Sequence, residues 1–249
     1  MKHSEVLSRY VNTGTQIPEK QYDRLTPVLK KSYLRMRRVA GYDGWEFKFL
    51  TDDERIKFIE KKGKELRQEE INYLLYNSND KDLIATKIID VKGEKLNHYD
   101  IDHLVKRSKS IDNIAIKIIE VKGEDLDYND IYVLLDDSNN KDLIATKIID
   151  VKGEKLWTQE IEILLQYTSE NIVVKIIQTK EIKLRKIDIN NLLTYSKDKE
   201  LIKKLLLQNG VDYKLINDAI TNYKIDIPLI PDNYQSMLNE IKRIKEIMI

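Results

Sequence analysis

The chain has 249 residues, 43 Lys+Arg against 42 Asp+Glu for a net charge of +1, and is 41% hydrophobic and 34% charged. That balance lacks the basic excess of a typical nucleic-acid binder, and the absence of cysteine excludes disulfides, thiolate zinc sites and a cysteine nucleophile. No apolar run is long enough to cross a membrane, and the start, MKHSEVLSRYVNTG, lacks the apolar core of a secretory signal, so a cytoplasmic protein is expected. Three histidines (His3, His98, His103) leave little for a metal site, and no cofactor is expected.

Residues 1–50 carry ten basic and five acidic residues, and the segment TPVLKKSYLRMRR (26–38) has five basic residues and no acidic one. Thr26-Pro27 reads as an N-cap with proline at the first helical position. Leu29, Ser32, Tyr33 and Met36 then form an inward stripe. Lys30, Lys31, Arg35, Arg37 and Arg38 are candidates for binding nucleic acid or an acidic surface; the alternative is a solvated face over a capping helix. Gly41 to Gly44 makes a turn, and Thr51-Asp52-Asp53-Glu54 is a capping box. The predicted divisions are a basic N-terminal helical cap (1–50), tandem helical hairpins (51–210) and a C-terminal helical cap (211–249).

The repeats organise everything between the caps. Lys-Gly recurs at Lys62-Gly63, Lys92-Gly93, Lys122-Gly123 and Lys152-Gly153, thirty residues apart each time, and KDLIATKIIDVKGEKL at 81–96 returns unchanged at 141–156. The first segment of each unit has one apolar helical face, as in Ile71/Leu74/Leu75/Ser78, and the same template fits from Ile101, Ile131, Ile161 and Ile189. The second segment carries Ile84, Ala85, Ile88, Ile89 and Val91 and their equivalents. Asn and Asp at 79–80, 112–113 and 139–140 are its predicted N-caps. Gly93, Gly123 and Gly153 are the predicted left-handed stops, and Leu66, Leu96, Leu126, Leu156 and Leu184 are predicted to pin the turns. A hairpin of two short helices cannot bury both stripes alone, so neighbours must stack into an all-α solenoid.

The pattern NKDLIATKIIDVKG (140–153) is similar to the short HEAT-like repeat, in which an acidic turn precedes a small-apolar helix ending in glycine. The likeness covers about two thirds of the chain, although the usual Asp-Pro turn and following arginine are missing. It implies a right-handed α-solenoid with capping helices at both ends, serving as a binding scaffold. One helical-repeat group of similar length excises alkylated bases, but no catalytic constellation supports an enzyme here.

Because each copy shares one geometry, variable outward positions are candidates for recognition. On the first helices these include Tyr73, Tyr76, His103, Lys106, Arg107, Tyr132, Tyr167 and Tyr195, with Trp157 opening one helix where its equivalents are Asn97 and Asp127. Tyr and Trp are favoured interface anchors; the alternative is drift at exposed positions. Val133, Ile163 and Asn191 belong to the same outward set. On the second helices Lys87, Lys117, Lys147 and Lys175 form a ladder that could track phosphates, although Asp90, Glu120 and Asp150 follow three residues after the first three.

Near the end, IDIPLIPDNY (225–234) reads as an extended crossing. Met237, Leu238, Ile241, Ile244 and Met248 then form a stripe that caps the last repeat or makes a homodimer; a monomer is favoured. The expectation is a non-enzymatic module that occupies a partner protein's surface, with RNA or DNA binding as the alternative. The Ile-, Lys- and Asn-rich coding resembles that of an AT-rich bacterium or a phage. A phage origin would make it an inhibitor of a host defence factor.

Overall fold

The computed structural model describes residues 24–31, 33, 50–180, 184–231, 233–234 and 236. Among them every regular element is helical. In chain order these are α1 (Asp52–Lys62), α2 (Gln68–Asn77), α3 (Lys81–Lys92), α4 (His98–Arg107), α5 (Ile111–Lys122), α6 (Tyr128–Asp137), α7 (Lys141–Lys152), α8 (Thr158–Tyr167), α9 (Glu170–Lys180), α10 (Lys186–Tyr195), α11 (Lys199–Gln208) and α12 (Tyr213–Asn222). A shorter helical stretch covers 27–31, where the Thr26 hydroxyl accepts from Leu29 N at 3.4 Å. Arg35, Arg37, Arg38, the Gly41–Gly44 turn and the Met237–Met248 stripe lie outside the described residues.

The described residues form two compact units. One runs to Lys95 and includes Arg107–Lys109; the other comprises Leu96–Lys106 and the chain from Ser110 onward. In the first unit α1 and α2 both pack on α3. In the second, helices of like kind pack in series: α5, α7, α9 and α11 in one, α6, α8, α10 and α12 in the other.

The helices start and stop for local reasons. Thr51 opens α1 as a full capping box, its hydroxyl accepting from Glu54 N while its own N donates to the Glu54 carboxylate. Asp80 and Asn140 cap α3 and α7 by accepting from Leu83 N and Leu143 N, each at 3.1 Å. Asp112 and Asn113 instead lie inside α5, whose cap is Ser110. The glycines after α1, α3, α5 and α7 have φ between 52° and 56° but ψ between −128° and −133°. That conformation is outside the left-handed helical well and is glycine territory. It throws the chain into a three-residue 3₁₀ turn that delivers the next leucine inward. Leu66, Leu96, Leu126, Leu156 and Leu184 are all buried.

Burial corrects the second-helix stripe. Ile84, Ala85, Ile88 and Ile89 are buried, yet the next buried position is Lys92, while Val91 is only half-buried. Lys122 and Lys152 repeat this. Positions 84, 88 and 92 are four apart and share one face, so the lysine continues the core stripe. After α12, residues 225–231 are non-helical, whereas the expected extended crossing continued to Tyr234, which is helical. They are clamped by Asn217, whose amide brackets the Ile230 backbone at 2.7 and 2.8 Å, and by Lys203 Nζ on the Pro228 carbonyl at 2.9 Å.

Candidate functional site

Several buried or turn-holding charged residues belong to the framework, and separating these isolates the candidate face. Lys122 Nζ reaches the Leu96 carbonyl at 2.6 Å and Asp130 Oδ2 at 2.8 Å. Lys152 does the same with Leu126 at 2.5 Å and Glu160 at 2.8 Å. In the first unit Lys92 reaches the Leu66 carbonyl at 2.8 Å, and Lys62 meets Glu70 at 3.0 Å. Lys92, Lys122 and Lys152 thus tie their own turns to the preceding ones, and Lys62, Lys122 and Lys152 neutralise the acid eight residues on. Burial pushes the Asp130 carboxyl up from its ordinary range, and Lys122 pulls it back.

A second ladder of acids explains Asp112, which was expected to be a cap. Asp112 accepts from Asn139 N at 2.9 Å, Asp142 from Ser169 N at 2.9 Å and Glu170 from Lys197 N at 3.0 Å. In the first unit Asp52 accepts from Asp80 N at 3.0 Å and Asp82 from Lys109 N at 2.7 Å. These acids hold the turn of the next repeat. Burial raises the Asp52 carboxyl, but bonds from Asp80 N, Ser78 and Arg55 outweigh it and hold it below the ordinary range.

The second unit carries a continuous aromatic and acidic face on its first helices. Tyr132 is exposed and meets half-buried Tyr167 edge-on, ring centroids 6.0 Å apart. Lys141 Nζ sits 4.6 Å over the Tyr167 ring, and its hydroxyl approaches Asp136 at 3.4 Å. The bond with Tyr132, burial and Asp136 push the Tyr167 hydroxyl up to about 12. Lys106 joins Asp102 at 2.5 Å and Asp137 at 3.9 Å, and the bond to Asp102 raises its ammonium despite some burial. Burial raises Asp137, with Lys106 opposing and Asp102 and Asp136 assisting. Tyr195 is exposed and accepts from Gln166 at 3.0 Å. His103 is half-buried on α4.

Ile163 and Asn191, expected outward, are buried. α8 packs between α6 and α10, and α10 between α8 and α12, so this position turns inward on both. In the first unit Tyr73 and Tyr76 are exposed, and the Arg107 guanidinium lies 5.5 Å from the Tyr76 ring. Of the basic N-terminal set, Lys31 is exposed and Lys30 half-buried. On the second helices Lys87, Lys117, Lys147 and Lys175 are all half-buried, and Lys175 pairs with Asp150 of the preceding second helix at 2.7 Å. That pair joins two helices instead of lying within one.

Trp157 stands apart. Asn97 and Asp127, its equivalents, cap their helices by accepting from Asp100 N at 3.0 Å and Asp130 N at 2.9 Å. Indole has a donor and no acceptor, so Trp157 makes no side-chain cap bond while remaining 67% exposed. Tyr99, Tyr128 and Ile187, near the starts of α4, α6 and α10, are exposed too. The sequence reading passed over them; their signal was the variability of helix-start positions, the one that singled out Trp157. Tyr128 also lines a pocket of about 490 Å³ between α6 and α8 with Asn129, Gln159, Glu162, Ile163 and Gln166.

No known protein family, curated protein or solved structure matches the chain. Among the described residues no helix is long and apolar enough to cross a membrane, and no group of His, Cys, Asp and Glu is arranged to hold a metal ion.

Proposed function

We propose that this protein is a non-enzymatic binding module, a solenoid of HEAT-like helical hairpins that occupies the surface of a partner protein with the outward face of its first helices. Trp157 carries the reading. Of the equivalent helix starts, Asn97 and Asp127 cap with their side chains, and Arg67 and Arg185 pair with an acid three residues on. Trp157 instead gives up a side-chain cap worth about 0.5–2 kcal/mol and keeps only the bond from its own N to Glu160, for an indole that stays in solvent. Departures from local rules without local compensation concentrate at functional positions. The exposed tyrosines of the same face, Tyr132 and Tyr195, extend it with anchors that tolerate both water and an apolar partner. In a phage, such a module would act as an inhibitor by covering a host defence factor.

The test is capture from a host lysate with the tagged full chain, divided into nuclease-treated and untreated halves. A protein retained after nuclease, and lost when Trp157, Tyr132 and Tyr195 are replaced by alanine, is the expected result. Recovery of nucleic acid, with proteins lost on nuclease treatment, overturns it and moves the function to Lys30, Lys31 and their basic neighbours.

A further inference from the structure

The pocket between α6 and α8 has the chemistry to define what kind of partner docks. Its base is Ile163, only 2% exposed, and Tyr128 supplies an aromatic wall that is 44% exposed. Asn129, Gln159 and Gln166 add amide oxygens, Glu162 adds a carboxylate, and no cationic side chain lines it. Glu162 Oε1 receives only two long contacts, from Gln166 and from the Tyr195 hydroxyl, each at 3.4 Å. A carboxylate has about four acceptor positions, so capacity remains for a strong donor.

The surroundings carry the same sign. The first helices of this unit add Asp102, Asp136 and Asp137, and the cations beside them are engaged, Lys106 by Asp102 and Asp137, Lys141 over the Tyr167 ring and Lys186 by Asp218. An apolar base, an aromatic wall, amide acceptors and a carboxylate within about 490 Å³ suit a long side chain with an apolar stem and a planar cationic head. Arginine has that shape: its stem lies along apolar surface, and its guanidinium stacks on aromatic faces and pairs with carboxylates.

We infer that the pocket formed by Tyr128, Ile163 and Glu162 receives an arginine from a basic segment of the partner protein. This rests on the protein-binding reading above and names the partner's chemistry.

The experiment uses the full chain and a blocked octapeptide of alternating glycine and arginine, with the glycine–glutamate octapeptide as control, followed by calorimetry. Saturable binding of the arginine peptide alone is expected. Glu162→Gln should weaken it about tenfold or more, because a bond to a charged group is lost, Glu162→Lys should abolish it, and Tyr128→Ala should weaken it. Circular dichroism melts of each variant establish that the fold is retained. Absence of saturable binding, or equal binding by wild type and all three variants, overturns the inference. If the peptide fails while a protein partner is still captured through Trp157, Tyr132 and Tyr195, the binding module stands and only the arginine is wrong.

Discussion

As the proposed anchor, Trp157 would separate stability from function at a single side chain. Asp127 shows what the position does when it serves the helix alone, its carboxylate accepting from Asp130 N at 2.9 Å. Arg67 and Arg185 also lack a capping acceptor but compensate by pairing with Glu70 at 3.4 Å and Asp188 at 3.2 Å. Trp157→Asp should therefore stabilise the protein by about 1 kcal/mol in urea denaturation and weaken partner capture. A variant that is stabilised yet keeps full capture would reduce Trp157 to drift.

The buried lysines predict in the opposite direction. Lys122→Met leaves Asp130 among apolar side chains without its cation, a loss of about 3–5 kcal/mol at neutral pH. Burial already raises the folded-state pKa of Asp130, and Lys122 lowers it, so removing the lysine drives it further up. The folded variant then binds its proton more tightly than the unfolded chain. Its deficit is largest above the raised pKa and shrinks as pH falls through it. Denaturation at pH 7 and pH 5 reads the difference, and Asp130→Asn in the Lys122→Met background should remove the pH dependence. An equal deficit at both pH values contradicts the pairing.

At the scale of the element, each helix hairpin is held by polar ties as well as by its stripe. Asp112 illustrates this, its Oδ1 accepting from Asn139 N at 2.9 Å and Asn140 N at 3.4 Å across 27 and 28 residues. Asp112→Ala should cost about 1.5–3 kcal/mol, the range for bonds to charged groups, and Asp112→Asn less, since an amide oxygen keeps one acceptor. Alanine at exposed Asp125 should stay within about 0.5 kcal/mol of wild type. If the two alanine variants lose equally, the tie carries no weight.

These ties mark where legibility ended. The apolar stripes, the turn leucines and the capping box at Thr51 were readable because 3.6-residue periodicity and cap chemistry are local. Asp112 was misread as a cap because its partners lie a whole repeat away, and no local pattern distinguishes the two uses. Lys92 was hidden by its type, since lysine on a helix reads as solvated, although its spacing from Ile84 and Ile88 placed it on the core face. The aromatic face was half legible: variability picked out Tyr132 and Trp157. The pocket needed three dimensions, because Tyr128 and Glu162 sit on different helices.

At the scale of the whole molecule, the thirty-residue period makes a stringent prediction about modularity. Residues 81–96 and 141–156 are identical, so excising 81–140 joins Asp80 to a segment with the residues that already followed it. Every local partner has a like replacement. The cap bond from Leu83 N to Asp80 becomes one from Leu143 N, and the reach of Lys92 to the Leu66 carbonyl falls to Lys152. If the repeats form a solenoid, each contacts only its neighbours, and the shortened chain should fold with the same helicity per residue. It should melt lower, having lost two hairpins and the interfaces between them. A cut of fifty residues, out of register, should not fold, because the buried lysines would meet no carbonyl. Circular dichroism of both deletions tests this directly. Loss of structure in both would show that the repeats depend on contacts beyond their neighbours, and a solenoid would not be the right description.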